Sequence, residues 1–208
     1  MTQIPEMCLF DANGARLYLD ARERVDFLRA AEAEEPPERL FCQVLHMTGC
    51  RPSEALELVA QRVLIDESTL VFRSLKKRKR DQQGRQKADQ YRSVPVPRRL
   101  VESLDLVFNL RALQKRPQQR DTRLWPMSRP TAYRLVKRVM QRAGIEGKQA
   151  TAKGLRHGFG VAMVTAEKPL PVHILARLMG HSDPKTTEIY LQVVGQEYRD
   201  LVLAAWKE

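Results

Sequence analysis

The chain has little of what would staple, anchor or metallate a protein. Its 208 residues hold three cysteines, Cys8, Cys42 and Cys50. They form no C-x-x-C pattern and an odd number cannot all pair, which argues against a disulfide scaffold and for a reducing cytosol. Four histidines are present, none at the spacing of a zinc site. No apolar run approaches the roughly 18 residues of a membrane span. The opening MTQIPEMCLFDANG lacks the charged region and apolar stretch of a secretory signal. There is no internal repeat, no Walker-type phosphate loop and no carboxylate cluster suited to Mg²⁺. These absences exclude membrane, secreted and metal-dependent classes and leave a cytoplasmic protein with no expected cofactor.

What the chain has is positive charge. Lys and Arg number 36 against 25 acids, for a net +11, while apolar residues make up 43%. A domain this basic expects a polyanionic partner, nucleic acid before an anionic membrane surface. The charge is uneven. Residues 1–40 carry nine acids and five arginines, and residues 73–92 carry nine cations and two acids. Alone, the run from Arg78 to Gln90 reads equally well as a solvated loop. Its flanks, STLVFRSL and YRSVPVP, read as strands. The segment is therefore expected to be a long basic hairpin on a small sheet.

Elsewhere helices dominate. ARERVDFLRAAEAEE places Val25, Phe27 and Leu28 on one side and stops at Pro36-Pro37; ERLFCQVLHMTG stops at Gly49. Pro52-Ser53-Glu54 opens a third helix running to about Val59, and PRRLVESLDLVFNLRAL reads as a single fourth one. SRPTAYRLVKRVMQRAG has Ser128 as N-cap, Pro130 in the first turn and Gly144 as its stop. KGLRHGFGVAMVTA, PVHILARLMG, DPKTTEIYLQV (Asp183 as N-cap) and QEYRDLVLAAW follow, with a loop expected around residues 114–123. The fold class is mainly α with one small antiparallel sheet (α+β).

Four clusters carry chemistry: Thr48–Glu54 around Arg51; Lys76-Lys77 at a strand end; Lys153–His157 around Arg156; and Leu178–His181 followed by Thr186, Thr187 and Tyr190. Singly each has an ordinary reading. An arginine near a helix start is usually a surface ion-pair partner, Gly-His after an apolar helix a C-cap, and such a tyrosine a core residue with a locally bonded hydroxyl. In this order, however, they resemble the tyrosine recombinase (phage integrase) family. TGCRPSE is similar to its T-G-x-R-x-x-E motif, KGLRHGF to H-x-L-R-H-T-F, and LMGHSDPKTTEIYLQV to L-G-H-x-x-x-x-T-T-x-x-Y. The resemblance spans residues 18–206. It implies a short lead segment (1–17) and a catalytic domain (18–208), without the family's N-terminal core-binding domain.

The resemblance implies a site-specific recombinase or integrase that cuts and rejoins DNA through a 3′-phosphotyrosyl intermediate, without metal or ATP. Tyr190 is the implied nucleophile, and Arg51, Arg156 and His181 the phosphate donors. The residue chemistry agrees: a planar guanidinium donates two parallel hydrogen bonds and never deprotonates. Lys76 is the implied acid for the leaving 5′-oxygen, with Lys77 next in line. Lys77, Arg78, Lys79, Arg80, Arg85, Lys87 and Arg92 are expected to touch backbone phosphates. Lys153 stands where the family usually has histidine; it can hold phosphate but is a poorer proton shuttle near pH 7. His157 is expected to be structural. The implied partner is double-stranded DNA, bound by a monomer that assembles into a homotetramer, with the C-terminal helix (Tyr198, Leu201, Val202, Trp206) docking on a neighbour or on its own core. Two alternatives share these residues: a type IB topoisomerase-like nicking and rejoining enzyme, and a non-catalytic DNA-binding regulator.

Overall fold

The computed structural model describes residues 8–75, 89–181, 185–192 and 202–206. Helices α1 (Ala21–Ala31), α2 (Pro36–Thr48) and α3 (Pro52–Leu56) come first, then a three-stranded antiparallel sheet of β1 (Val63–Leu64), β2 (Thr69–Arg73) and β3 (Tyr91–Pro95). Helices α4 (Arg98–Phe108), α5 (Leu110–Gln114), α6 (Arg129–Arg142), α7 (Ala152–Val164), α8 (Val172–Met179) and α9 (Lys185–Glu188) follow, and a 3-10 turn, Ile189–Gln192, carries on from α9. The class is the one expected from the sequence.

Local signals account for most helix ends. Asp20 and Glu23 form a reciprocal capping box at α1, with side chain to backbone distances of 2.9 and 3.0 Å. Pro36-Pro37 start α2, where absent N–H groups cost nothing, and Gly49 ends it. Ser128 caps α6 and Thr151 caps α7, each accepting from the backbone N–H three residues on.

Helix α2 is central, packing against α1, α4 and α7. Its Phe41 meets Trp125 edge-on at 5.3 Å, Phe108 also does so at 5.5 Å, and the buried indole N–H donates to Pro37 O at 2.7 Å. A ring buried this way with its one polar atom satisfied is a main anchor of the core. A second, smaller apolar cluster joins Leu9, Tyr18, Phe159, Val161, Leu175, Met179 and Tyr190. It draws the lead segment, α7, α8 and the Tyr190 turn together.

Three expectations change. Val25 is 55% exposed while Phe27 is fully buried, because α1 turns Phe27 and Ala31, four residues apart, to the core. The expected fourth helix breaks at Asn109, whose left-handed backbone (φ 52°) separates α4 from α5. The third helix ends at Leu56, and the chain then turns into the short strand β1, which was not anticipated. The hairpin expectation holds where the strands are described: Thr69–Arg73 pair with Pro95–Tyr91, and Ser74 N–H donates to Gln90 O at 2.8 Å.

Candidate active site

Arg51 is the residue from which α3 starts, its position set by the turn out of α2 and by Pro52. Glu54, in the first turn, reaches back to it. One carboxylate oxygen accepts from Arg51 Nη1 and the other from the Arg51 backbone N–H, both at 2.9 Å. Arg51 keeps 22% of its side chain exposed, whereas Glu54 is buried. Burial pushes the Glu54 carboxyl up, but the hydrogen bond and charge of Arg92, and then Arg51, outweigh it and hold the group below the usual carboxylate range.

Arg156 comes from the second turn of α7, on the side that faces this turn. Its Nη1 donates to Gly49 O, and its Nη2 to Met179 O at 2.7 Å and to His181 Nε2 at 2.9 Å. Burial, then repulsion from Arg51, lowers its pKa to about 10, so it stays charged near neutrality. His181 follows the left-handed Gly180 (φ 67°) that ends α8. Its Nδ1 lies 2.8 Å from Thr187 Oγ1. Burial and the neighbouring arginines Arg156 and Arg51 lower its pKa to about 3, which keeps the ring neutral. Arg51, Arg156 and His181 thus converge on one cationic site. A cleft of about 700 Å³ opens beside it between β3 and α8, lined by Tyr91, Arg92, Ser93, Arg177, Gly180 and His181.

Tyr190 is fully buried in the second apolar cluster. Its hydroxyl lies 3.0 Å from His157 Nδ1, and burial raises its pKa although Arg156 and Arg51 pull the other way. The ring packs against α7 at Gly160, where a Cβ would come within 2.4 Å of it. Any side chain there would displace the tyrosine. Burial, with Lys153 and Arg156 adding to it, lowers His157 to about 3, so this partner is neutral. Lys153 is exposed in the first turn of α7.

Arg92 differs from its expected place among the outward cations. Its side chain is 8% exposed and donates through Nη2 to Glu54 at 2.6 Å and through Nε to Leu178 O at 2.8 Å. Lys76, Lys77, Arg78, Lys79, Arg80, Arg85 and Lys87 lie outside the described residues, as does Asp183. The sequence assigned no role to Glu54 or Thr187 beyond motif membership, and to His157 only a structural one. Their pairings to Arg92, His181 and Tyr190 depend on the fold. Among the described residues no group of acidic, histidine or cysteine side chains could hold a metal ion, and no helix is long and apolar enough to cross a membrane.

The chain matches the phage integrase family over residues 18–197, and it belongs to that family. It is 28% identical over 165 residues to tyrosine recombinase XerA of Thermococcus kodakarensis, covering 78% of this chain and 53% of that one. It is 27% identical over 190 residues to tyrosine recombinase XerD of Brucella abortus, covering 84% and 56%. The chain therefore spans about half the length of these relatives. Its fold is that of the XerA recombinase crystal structure (TM-score 0.71, 22% identity, 92% of this chain and 65% of that one). It is also that of the catalytic domain of bacteriophage HP1 integrase (TM-score 0.57, 21% identity, 89% and 92%).

Proposed function

We propose that this member of the phage integrase family is a site-specific DNA strand-exchange enzyme that works through a phosphotyrosyl intermediate. The observation that carries the reading is the convergence of Arg51, Arg156 and His181, from three separate elements, on one site with Tyr190 on the turn just after His181. Two guanidiniums and an imidazole suit the non-bridging oxygens of a phosphodiester, whose charge grows as phosphorus becomes five-coordinate. The relatives' names, tyrosine recombinases XerA and XerD, support the same chemistry.

In this reading Tyr190 leaves His157 and attacks the phosphorus held by Arg51 and Arg156. The P–O5′ bond breaks as the tyrosyl–phosphorus bond forms, the phenolic proton passes to water, and Lys76 gives a proton to the 5′-oxygen. The covalent link conserves the energy of the broken bond, so the reverse step rejoins a new 5′-hydroxyl without ATP or metal. Lys153, exposed in the first turn of α7, serves as a phosphate donor. The cations at 77–80, 85 and 87 follow the DNA backbone. Tetramer assembly on DNA belongs to the same reading; the exposed Val202, Leu203 and Trp206 offer an apolar surface for it.

The test is trapping on a suicide duplex, in which the 5′-hydroxyl fragment diffuses away. The expected outcome is a protein–DNA adduct stable to denaturant, absent in Tyr190→Phe. Retardation of DNA with no adduct from any target, including DNA flanking the gene, would leave only a binding role. Relaxation of supercoils without recombinant products would make it a topoisomerase-like enzyme.

A further inference from the structure

We propose that Arg92 is a positioning residue of the site, a single guanidinium that locks the Arg51 turn and the His181 turn to the strand leading out of the basic hairpin. The inference rests on the strand-exchange reading for its kinetic effect but not for its geometry. Arg92 lies on β3, 38 residues from Glu54 and 86 from Leu178 in sequence. Its Nη2 holds the Glu54 oxygen that also accepts the Arg51 backbone N–H, while the other Glu54 oxygen holds the Arg51 side chain. Its Nε holds the carbonyl of Leu178, next to Met179, whose carbonyl accepts from Arg156. The same guanidinium lies over Gly180, where a Cβ would meet its Nη1 at 3.0 Å, and over the Phe72 ring at 5.2 Å. One planar group therefore ties three segments, adding a second link to the one that Arg156 makes between Gly49 and Met179.

The charge balance assigns the same role. Glu54 is a buried carboxylate shared by two guanidiniums. With Arg92 present, only part of its charge is committed to Arg51, which stays free to donate to an incoming phosphate. Without Arg92 the carboxylate pairs with Arg51 alone and competes with the phosphate for it. Geometry favours arginine: Nε and Nη2 are separate donor atoms fixed in one plane, whereas a lysine ammonium carries all its donors on a single atom and does not reproduce that spacing. The bonds to Glu54 and Leu178 separate this role from an ordinary phosphate contact, although Arg92 also borders the cleft and its buried Nη1 has no partner among the described residues.

The experiment uses the full chain with Arg92→Lys and Arg92→Gln, each checked for folding by thermal unfolding and near-ultraviolet circular dichroism. On a suicide duplex at saturating protein, both variants are expected to form adduct about 10- to 100-fold more slowly, as for small misplacements of reacting groups. Duplex Kd and its salt slope should stay within about twofold of the parent. In the free protein, the imidazole ¹⁵N signals of His181 should shift in both variants. If the parent forms no adduct, the strand-exchange reading fails, and the His181 signals alone still decide whether Arg92 positions that turn. A weaker Kd with a salt slope reduced by about 1 and an unchanged rate in the bound complex would make Arg92 a phosphate contact and overturn the proposal. Unshifted His181 signals, or loss of fold in both variants, would overturn it as well.

Discussion

A guanidinium N–H can only donate, so the 2.9 Å contact from Arg156 Nη2 makes His181 Nε2 an acceptor. The ring is neutral, and its proton therefore sits on Nδ1, donating to Thr187 Oγ1 at 2.8 Å. A phosphate that takes over Arg156 Nη2 reverses the requirement. His181 can then serve the phosphate only through Nε2–H, and a neutral ring needs Nδ1 to accept. A hydroxyl permits this because it is both donor and acceptor and can rotate. Thr187 is fully buried, so no solvent substitutes for it. Thr187→Val is expected to slow adduct formation by about 10- to 100-fold, by analogy with the loss of partners that orient metal-bound histidines. Thr187→Ser should stay within about threefold. Single-turnover cleavage with both variants checks this; equal slowing by the two would mean that the methyl group, not the hydroxyl, matters.

At the level of elements, the frame behind the site is tied by Glu34, in the turn between α1 and α2. It is buried and accepts from Arg138 and Arg142 of α6, with Arg138 Nη2 also reaching Glu38 at 2.8 Å. The hydrogen bond from Arg138 outweighs burial and, with Arg142, lowers the Glu34 pKa from 4.5 to about 2. A depressed carboxyl contributes stability fully above its unfolded pKa and loses it as pH falls. This contribution is thus present above about pH 4.5 and fades toward about pH 2. Both arginines are more than a third exposed, so solvent screening leaves about 1–3 kcal/mol. Glu34→Gln should lower the thermal midpoint near pH 7 and narrow its gap to the parent as pH falls through that window. A constant gap would refute the linkage. This clamp also shows what the sequence could tell. Helices with a cap at one end and a glycine or proline stop at the other were readable, because caps are local. The break at Asn109 and strand β1 were not, because each depends on what the segment packs against. The motif residues of the site were readable for the same local reason. The contacts of Arg92 with Glu54 and Leu178, and of His157 with Tyr190, join residues 33 to 86 positions apart and have no local signature.

For the whole molecule, the net +11 divides into two populations with different work to do. Arg51 and Arg92 share one buried carboxylate, Glu54, with Arg156 buried nearby, and in the proposed function this excess of positive charge serves a single phosphate. The cations from Lys76 to Arg80 form the densest positive run of the chain; in the proposed function Lys76 serves the scissile phosphate and Lys77 to Arg80 the backbone phosphates beside it. These roles respond differently to salt. Binding that releases condensed counterions weakens linearly in log Kd against log salt, by roughly 0.9 per phosphate neutralised. Replacing Lys76, Lys77, Arg78, Lys79 and Arg80 together with Gln is therefore expected to reduce the slope by up to about 4.5, five cations at roughly 0.9 each. Arg51→Gln should reduce it by no more than about 1 while abolishing adduct formation. Titrations of a short duplex between low and moderate KCl provide the measurement. A slope that falls by less than about 1 in the fivefold variant would show that this run is not what holds the DNA.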